Sequence, residues 1–153
     1  MPLWNPERSV IASARAYRRY LDRGGPFAVV PRKMARLRLG FWNMVAGSAI
    51  LPGARLGERL SLPHPNGVVV HQDAVIGDDC MLMQQVTIGQ AAEYGAPILG
   101  AHVYVGAGAR ILGAVKIGDD ARIGANAVVL ADVPAGYTAV GIPAVARPRK
   151  RSA

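Results

Sequence analysis

The chain has 153 residues, of which 51% are hydrophobic and only 6% aromatic, a length that favours one domain. Its single cysteine, Cys80, excludes an internal disulfide and is typical of a reducing compartment. The net charge of +8 comes from the two ends of the chain, and no zinc pattern, recognition helix or aromatic interleaving accompanies it. The sequence therefore excludes a disulfide-stapled secreted fold and predicts no nucleic-acid partner.

Two helices are predicted at the N-terminus. Asn5 and Pro6 form a favourable helix start, and the apolar spacing that follows predicts a helix over residues 6–22. A second, basic helix over about residues 30–46 carries Leu37, Phe41 and Trp42. We interpret residues 1–46 as a cap over the open end of the repeat domain, since solenoid ends expose core and strand edge. Docking on a membrane or a partner through the basic residues and Trp42 is the alternative.

An aliphatic residue recurs at every sixth position from Leu99 to Val129, often followed by glycine. Neither a helix nor a strand has this period, whereas three hexads make one coil of a parallel β-helix. The repeat domain is predicted over residues 47–146, followed by a basic tail, 147–153. The same register extends back to Ile50 with two interruptions, which predict loops at residues 63–66 and 89–97.

A short stack of coils has flat, apolar-rich sides, and assembly around a threefold axis is a natural way to bury them. Clefts would then form between neighbouring subunits.

Several segments of the repeat domain resemble the serine acetyltransferase family of left-handed β-helix acyltransferases. These segments are LPHPNGVVV (62–70), VTIG (86–89), VGAGARILG (105–113), IGANAVV (123–129) and VGIPA (140–144). The resemblance implies an all-β core with a left-handed coil, homotrimers with active sites between subunits, and acetyl transfer from acetyl-CoA to a hydroxyl. It also implies that His64 is catalytic and that Gly89, Gln90, Ala107 and Ala125 line the acetyl-CoA cleft.

Three features of the serine-specific members are missing. Ala49 stands where they carry the aspartate that orients the histidine, Pro63 replaces an acceptor-binding aspartate, and Gly95–Ala96 replace an Arg-His pair. Free serine would leave its carboxylate and ammonium without these partners. The pattern therefore resembles the branch that acts in capsule, exopolysaccharide and colanic-acid biosynthesis, and we expect a sugar hydroxyl as acceptor. Serine O-acetylation is the alternative, and a catalytically inactive scaffold is a further one.

His64 suits the chemistry of this transfer because imidazole titrates near neutral pH and can remove the proton of an attacking alcohol. Its orienting partner is left open among a backbone carbonyl, Glu58 and Glu93. The phosphates of acetyl-CoA favour basic neighbours, for which Arg110 and Arg147 are candidates. Gln84, Gln85 and Gln90 are candidates for stabilising the oxyanion of the intermediate. A zinc site built from His64, His71 and His102 is a rival interpretation that the spacing does not favour, and no metal is expected.

No charged-then-apolar leader pattern opens the chain, and arginines and lysines interrupt its longest apolar stretch. The sequence therefore predicts a cytoplasmic protein, with contact to the cytoplasmic face of the membrane through the basic N-terminal helices as an open question.

Overall fold

The computed structural model describes residues 5–91 and 95–149. It begins with helix α1 (Pro6–Arg23), whose cap residue Asn5 accepts a hydrogen bond from the Arg8 amide at 3.0 Å. A 3-10 turn (Pro26–Ala28) leads into helix α2 (Val29–Ala46), which ends at Gly47 in the left-handed conformation with φ 64°. Both helices predicted from the sequence are present, each within a residue of the predicted bounds.

Short strands then build three sheets. In chain order they are β1 (Ala49–Ile50), β2 (Arg55–Leu56), β3 (Val69–Val70), β4 (Val75–Ile76), β5 (Met81–Leu82), β6 (Thr87–Gly89), β7 (Ile98–Leu99), β8 (Tyr104–Val105), β9 (Arg110–Leu112), β10 (Lys116–Ile117), β11 (Arg122–Ile123), β12 (Val128–Val129), β13 (Tyr137–Gly141) and β14 (Ala144–Pro148). The first sheet has the order β1-β3-β6-β9-β12, the second β10-β7-β4-β2, and the third β14-β13-β11-β8-β5. Successive strands of the chain pass from sheet to sheet, as in a triangular coil.

The hexad residues occupy equivalent positions in successive coils. In the first sheet Ile50 pairs with Val70, Val70 with Ile88, Ile88 with Ile111, and Ile111 with Val129, all in parallel. Each of these side chains is at most 1% exposed. The six-residue step therefore places one aliphatic side chain per strand inside a narrow core, and the predicted parallel β-helix is confirmed.

The two interruptions of the repeat lie at different corners of the triangle. The eight-residue step from Leu62 to Val70 enlarges the corner between the third and first sheets, which we call the histidine corner (residues 63–67, 83–86, 106–109 and 124–127). The eleven-residue step from Ile88 to Leu99 enlarges the corner between the first and second sheets. The middle of that longer loop, residues 92–94, lies outside the described residues.

Polar side chains of the helices form hydrogen bonds with backbone groups at the open edge of the first coil. The Arg15 guanidinium donates to the carbonyls of Leu56 and Gly57, and Arg18 donates to the Gly53 carbonyl at 3.2 Å. The Glu7 carboxylate accepts hydrogen bonds from the Leu62 amide at 2.7 Å and the Ser61 hydroxyl at 3.1 Å. The helices thus supply the hydrogen-bond partners that a preceding coil would otherwise provide.

Apolar residues of the helices also extend the core. Val10, Ala14 and Leu39 are at most 1% exposed and belong to the same buried cluster as the hexad residues. Trp42 packs against this cluster as well. The face of α2 that carries Trp42 is therefore turned toward the protein, so Trp42 is not part of the docking surface that the alternative interpretation assigned to it together with the basic residues.

The C-terminal end adds a hairpin to the third sheet. β13 pairs in parallel with β11, and β14 returns antiparallel beside β13. Arg147 lies within β14, opposite Thr138, so the predicted tail boundary at residue 147 falls inside a strand. An antiparallel return breaks the hexad pattern and was therefore not visible as a repeat.

Among the described residues, no helix combines the length and the apolar character that crossing a bilayer requires.

Candidate active site at the histidine corner

The loop that carries His64 is held firmly at both ends. Leu62 and Val68, on either side of it, are fully buried. The Gly67 amide donates to the Gly47 carbonyl at 2.7 Å, and the Asn66 carbonyl accepts from the Gln85 amide at 2.9 Å. The backbone that carries the imidazole is therefore held in place on both sides of His64, as a positioned catalytic group requires.

The His64 side chain is exposed and forms no hydrogen bond or ion pair within the described ranges, 5–91 and 95–149. Proline stands on each side of it, at Pro63 and Pro65, and fixes φ at both neighbours. An imidazole held on a stiff loop with both ring nitrogens unbonded is available to a substrate or to a second subunit.

Ala107 and Ala125 lie in the same corner as His64. The Gly108 amide donates to the Gln84 carbonyl at 2.9 Å, and the Asn126 amide donates to the Ala107 carbonyl at 2.8 Å, so these turns stack directly on one another. Ala107 is half-buried and Ala125 is exposed. The structure therefore brings two of the predicted acetyl-CoA residues into one column with His64, lined by small side chains.

The turns of this column are tight. Gly108 has φ 71°, and a Cβ atom built on it would overlap the Asn126 Oδ1 atom of the next coil. Asn126 itself adopts a left-handed conformation with φ 57°. Asn126 was not singled out in the sequence analysis. Asparagine is one of the few residues other than glycine that adopt this conformation readily, so its residue type was a signal.

Gln84 stands in this corner with an unusual feature. Its Oε1 atom is buried and, within the described part of the chain, is the one buried side-chain oxygen or nitrogen without a hydrogen-bond partner. Buried polar atoms normally have partners. The unpaired Oε1 atom is a hydrogen-bond acceptor, so it could receive a donor in the histidine corner, whereas an oxyanion would need the Nε2 donor of this side chain.

Gly89 and Gln90 lie on the other side of the first sheet. Gly89 ends β6, and its carbonyl accepts from the Gly113 amide at 3.0 Å; the exposed Gln90 opens the long loop. Arg110 begins β9 between these two sides and is exposed. The structure therefore spreads these three predicted residues across the first sheet and does not gather them around His64 within one chain.

Arg147 is separated from the histidine corner. It pairs with Thr138, whereas the turn at Ile142–Pro143 forms the opposite end of the same hairpin. Gly124, next to Ala125, approaches Val140 near that turn. Arg147 thus lies at the far end of the strand pair from Ala125.

Of the two carboxylates considered as partners of His64, one is placed at another corner and the other lies outside the described residues. Glu58 lies at the corner between the second and third sheets, where its carboxylate is 3.6 Å from the Arg59 guanidinium. Glu93 lies outside the described residues. The repeat pattern places Glu58 and His64 at different corners, which separates them although they are only six positions apart.

The other two histidines lie beside carboxylates and not beside one another. His71 Nδ1 is 3.7 Å from Asp73, and His102 lies 3.4 Å from Asp79 and 3.7 Å from Asp120. No group of three or more metal-binding side chains occurs among residues 5–91 and 95–149.

The lone cysteine is a core residue. Cys80 is 1% exposed, and its Sγ donates to the Gly100 carbonyl at 3.1 Å. Burial raises the pKa of the Cys80 thiol above its usual value, because the thiolate is disfavoured away from water. Such a thiol is a poor nucleophile.

The four residues that differ from the serine-specific pattern carry no charge. Ala49 is half-buried in β1, and Pro63 is exposed beside His64. Gly95 packs over Ala114, and Ala96 packs against the core. An ionic acceptor would therefore find no charged partner at these positions.

Comparison with known proteins decides the family. The family model described as bacterial transferase hexapeptide (six repeats) matches residues 96–131. A serine acetyltransferase of Helicobacter pylori strain J99 is 44% identical over 121 residues, which cover 77% of this chain and 68% of that protein. The chain belongs to the serine acetyltransferase family.

Two further similar proteins are also serine acetyltransferases. A serine acetyltransferase of Synechococcus elongatus is 43% identical over 118 residues, covering 75% of this chain and 47% of that protein. A crystal structure of serine acetyltransferase from Brucella abortus in complex with coenzyme A superposes with a TM-score of 0.83 at 30% identity, covering 94% of this chain and 56% of that one. The chain thus spans about half the length of the Synechococcus and Brucella proteins.

These matches confirm the predicted fold class, a left-handed hexapeptide β-helix with a short helical N-terminal region. They do not support the expected closeness to the polysaccharide branch, since each relative reported above is a serine acetyltransferase.

Proposed function

We propose that this family member is an acetyl-CoA-dependent O-acetyltransferase, with His64 as the general base. The observation that carries the proposal is the histidine corner, where an exposed, unbonded imidazole stands in one column with the small residues Ala107 and Ala125. The Brucella relative bound to coenzyme A supports acetyl-CoA as the donor. Because acetyl-CoA is an intracellular donor, we place the protein in the cytoplasm.

The chemistry follows from these groups. A ring nitrogen of His64 accepts the hydroxyl proton as the acceptor oxygen attacks the thioester carbonyl, and a tetrahedral intermediate with a negative oxygen forms. The carbon–sulfur bond then breaks, and the imidazolium returns the proton to the departing thiolate. The products are the acetyl ester and free coenzyme A, and the transfer is direct, without an acyl-enzyme.

The proposal includes a homotrimer in which each active site lies between two subunits. His64 has no partner within the described part of its own chain, and Gly89, Gln90 and Arg110 spread away from it over the first sheet. A neighbouring subunit would bring a second sheet edge to the exposed histidine corner. This arrangement explains why the predicted residues are divided between two sides of one chain.

Serine is the acceptor that we propose first, because the relatives named above are serine acetyltransferases. A sugar hydroxyl is the second candidate, and the uncharged residues Ala49, Pro63 and Ala96 favour it. Free serine carries two charges that an active site must compensate, whereas a sugar hydroxyl needs only hydrogen bonds.

An assay of coenzyme A release distinguishes the two acceptors. Purified protein with acetyl-CoA is supplied in parallel with serine, nucleotide sugars and lipid-linked sugars, and the new thiol is measured with a chromogenic disulfide. The buried Cys80 thiol keeps the background from the folded protein low. Release only with serine supports the first acceptor, and release only with sugars supports the second. Binding of acetyl-CoA without turnover on any acceptor would contradict the proposed activity and favour a scaffold.

A further inference from the structure

Helix α2 and the 3-10 turn before it carry a row of exposed apolar side chains that is not packed against the rest of the described chain. With steps of three and four residues, Phe27, Val30, Met34, Leu37, Phe41 and Met44 form what we call the apolar stripe. Phe27 is 95% exposed, Leu37 and Met44 are each 75% exposed, and even Phe41 is 47% exposed. The opposite face of α2 is buried in the core through Ala35, Leu39 and Ala46. The stripe is therefore an additional apolar surface on a helix that is already anchored.

The charges around the stripe all have one sign. Lys33, four residues before Leu37, lies on one side of it, and Arg38, four residues after Met34, lies on the other. Lys33 and Arg36 also line a shallow groove of about 430 Å³ with Leu37, Gly40 and Phe41. No aspartate or glutamate occurs from Pro26 to Ala46. A surface that covers the stripe must therefore accept both apolar side chains and positive charge.

The positive charges favour one of two possible partners for the apolar stripe, a second copy of α2 or an anionic lipid surface. The spacing of the stripe is that of a coiled-coil seam, but a second copy of α2 would bring its own lysines and arginines against the same cations. An anionic lipid surface offers acyl chains to the stripe and negative headgroups to its flanks. Aromatic and leucine side chains on one face with arginines and lysines beside them are typical of helices that lie in a membrane interface.

We propose that α2 binds an anionic membrane surface through the apolar stripe, with the helix axis parallel to the bilayer plane. The helix is about 27 Å long at 1.5 Å per residue, so its whole apolar row meets the bilayer at once. Because Ala35 and Leu39 on the other face stay buried in the protein, binding requires no unfolding. The inference depends on the surface of α2 and not on the proposed acetyl transfer.

The test is sedimentation of the full chain with vesicles of phosphatidylcholine alone and with vesicles of equal parts phosphatidylcholine and phosphatidylglycerol. One variant combines Met34→Ser and Leu37→Ser, and a second combines Lys33→Glu and Arg36→Glu. Val145→Ser and Lys116→Glu are single-substitution controls of the same two types, because Val145 is 55% exposed and Lys116 is exposed, and both lie on the β-helix. Circular dichroism checks that every variant is folded.

We expect the protein to sediment with the anionic vesicles, to be released by salt, and to bind neutral vesicles weakly. Each stripe variant should partition at least about tenfold more weakly, and the control variants should behave like the unmodified chain. Absence of binding to anionic vesicles would overturn the proposal, as would binding that both stripe variants leave unchanged. Concentration-dependent self-association without lipid that Met34→Ser with Leu37→Ser abolishes would also overturn it, since a second copy would then cover the stripe.

Discussion

Asn43 and Ile50 are joined by a pair of hydrogen bonds between one side chain and one backbone residue. The Asn43 Nδ2 donates to the Ile50 carbonyl at 2.9 Å, and its Oδ1 accepts from the Ile50 amide at 3.1 Å. The neighbouring amides of Ala49 and Leu51 point the other way, to the carbonyls of Val68 and Val70. Asn43 therefore replaces the strand that the first coil lacks.

We expect Asn43→Ala to lower the free energy of unfolding by about 2–4 kcal/mol, because it leaves a backbone donor and acceptor of Ile50 without partners. Urea denaturation followed by circular dichroism measures this change. Gln72→Ala, at an exposed position, should stay within about 0.5 kcal/mol of the unmodified chain. Equal effects of the two substitutions would show that Asn43 has no special part in the cap.

Gly77 and Gly40 form a contrasting pair of glycines. A Cβ atom on Gly77 would overlap the Gly100 carbonyl of the next coil, whereas nothing lies within 4 Å of a Cβ atom on Gly40 in α2. Gly77→Ala should therefore destabilise the protein by about 3 kcal/mol or more through overpacking against backbone. Gly40→Ala should stabilise it by up to about 1 kcal/mol, since alanine favours a helix.

Thermal unfolding of the two variants beside the unmodified chain tests the tight stacking of coils directly. A Gly77→Ala protein with an unchanged melting temperature would contradict it. Loss of expression of Gly77→Ala alone, with Gly40→Ala well folded, agrees with it.

The ion pair between Asp79 and Arg59 predicts how the stability of the fold changes with pH. A two-pronged hydrogen bond from Arg59, with Nε–Oδ1 at 2.5 Å and Nη2–Oδ2 at 2.6 Å, holds the pKa of Asp79 below the ordinary aspartate value of 3.8. A lowered pKa in the folded state means that the pair stabilises the fold above the ordinary value and loses this effect as the pH falls through the folded pKa. Asp79→Asn should therefore be less stable than the unmodified chain at neutral pH.

The difference should disappear at a pH well below 3.8, where both chains lack the charge. Denaturant midpoints at the two pH values measure it, and Asp73→Asn, exposed beside His71, is the control. A gap between Asp79→Asn and the unmodified chain that stays constant with pH would exclude this charge as its origin.

Ala125 tests whether the histidine corner accommodates the donor. Ala125→Phe should weaken coenzyme A binding about tenfold or more, because a large ring would fill a column lined by small side chains. Ala135→Phe, at another exposed alanine, which lies at the corner between the second and third sheets, should bind like the unmodified chain. Calorimetric titration with coenzyme A provides the dissociation constants without any acceptor. Unchanged binding by Ala125→Phe would place the donor elsewhere.

The sequence predicted the repeat core in detail, because one hexad position maps onto one buried side chain. It also predicted which residues interrupt the coils, and so placed His64 on a loop at a corner. The hydrogen bonds between the helices and the first coil could not be predicted from the sequence, because Glu7 and Arg15 bond to backbone atoms more than forty positions away. The sequence also left open whether Trp42 packs in the cap or lies on a docking surface, because the face that α2 turns to the core depends on the packing of the first coil.

The candidate site was only partly predictable for a related reason. Ala107 and Ala125 share a corner with His64 because whole coils separate them, which the hexad step determines. Glu58 is closer to His64 in sequence but belongs to another corner. Residues that a second subunit would supply in the proposed trimer leave no periodic signal in one chain, so the surroundings of the exposed imidazole could not be derived from the repeat.

The most direct test of the account is the turnover of His64→Ala beside that of His102→Ala, with coenzyme A release measured on the acceptor that the unmodified protein uses. His102 is an exposed histidine at a different corner. We expect His64→Ala to lose about 100-fold to 10,000-fold in turnover while coenzyme A binding and the elution volume of the assembly stay the same. His102→Ala should retain full activity. Turnover of His64→Ala within about twofold of the unmodified protein would contradict the proposed general base.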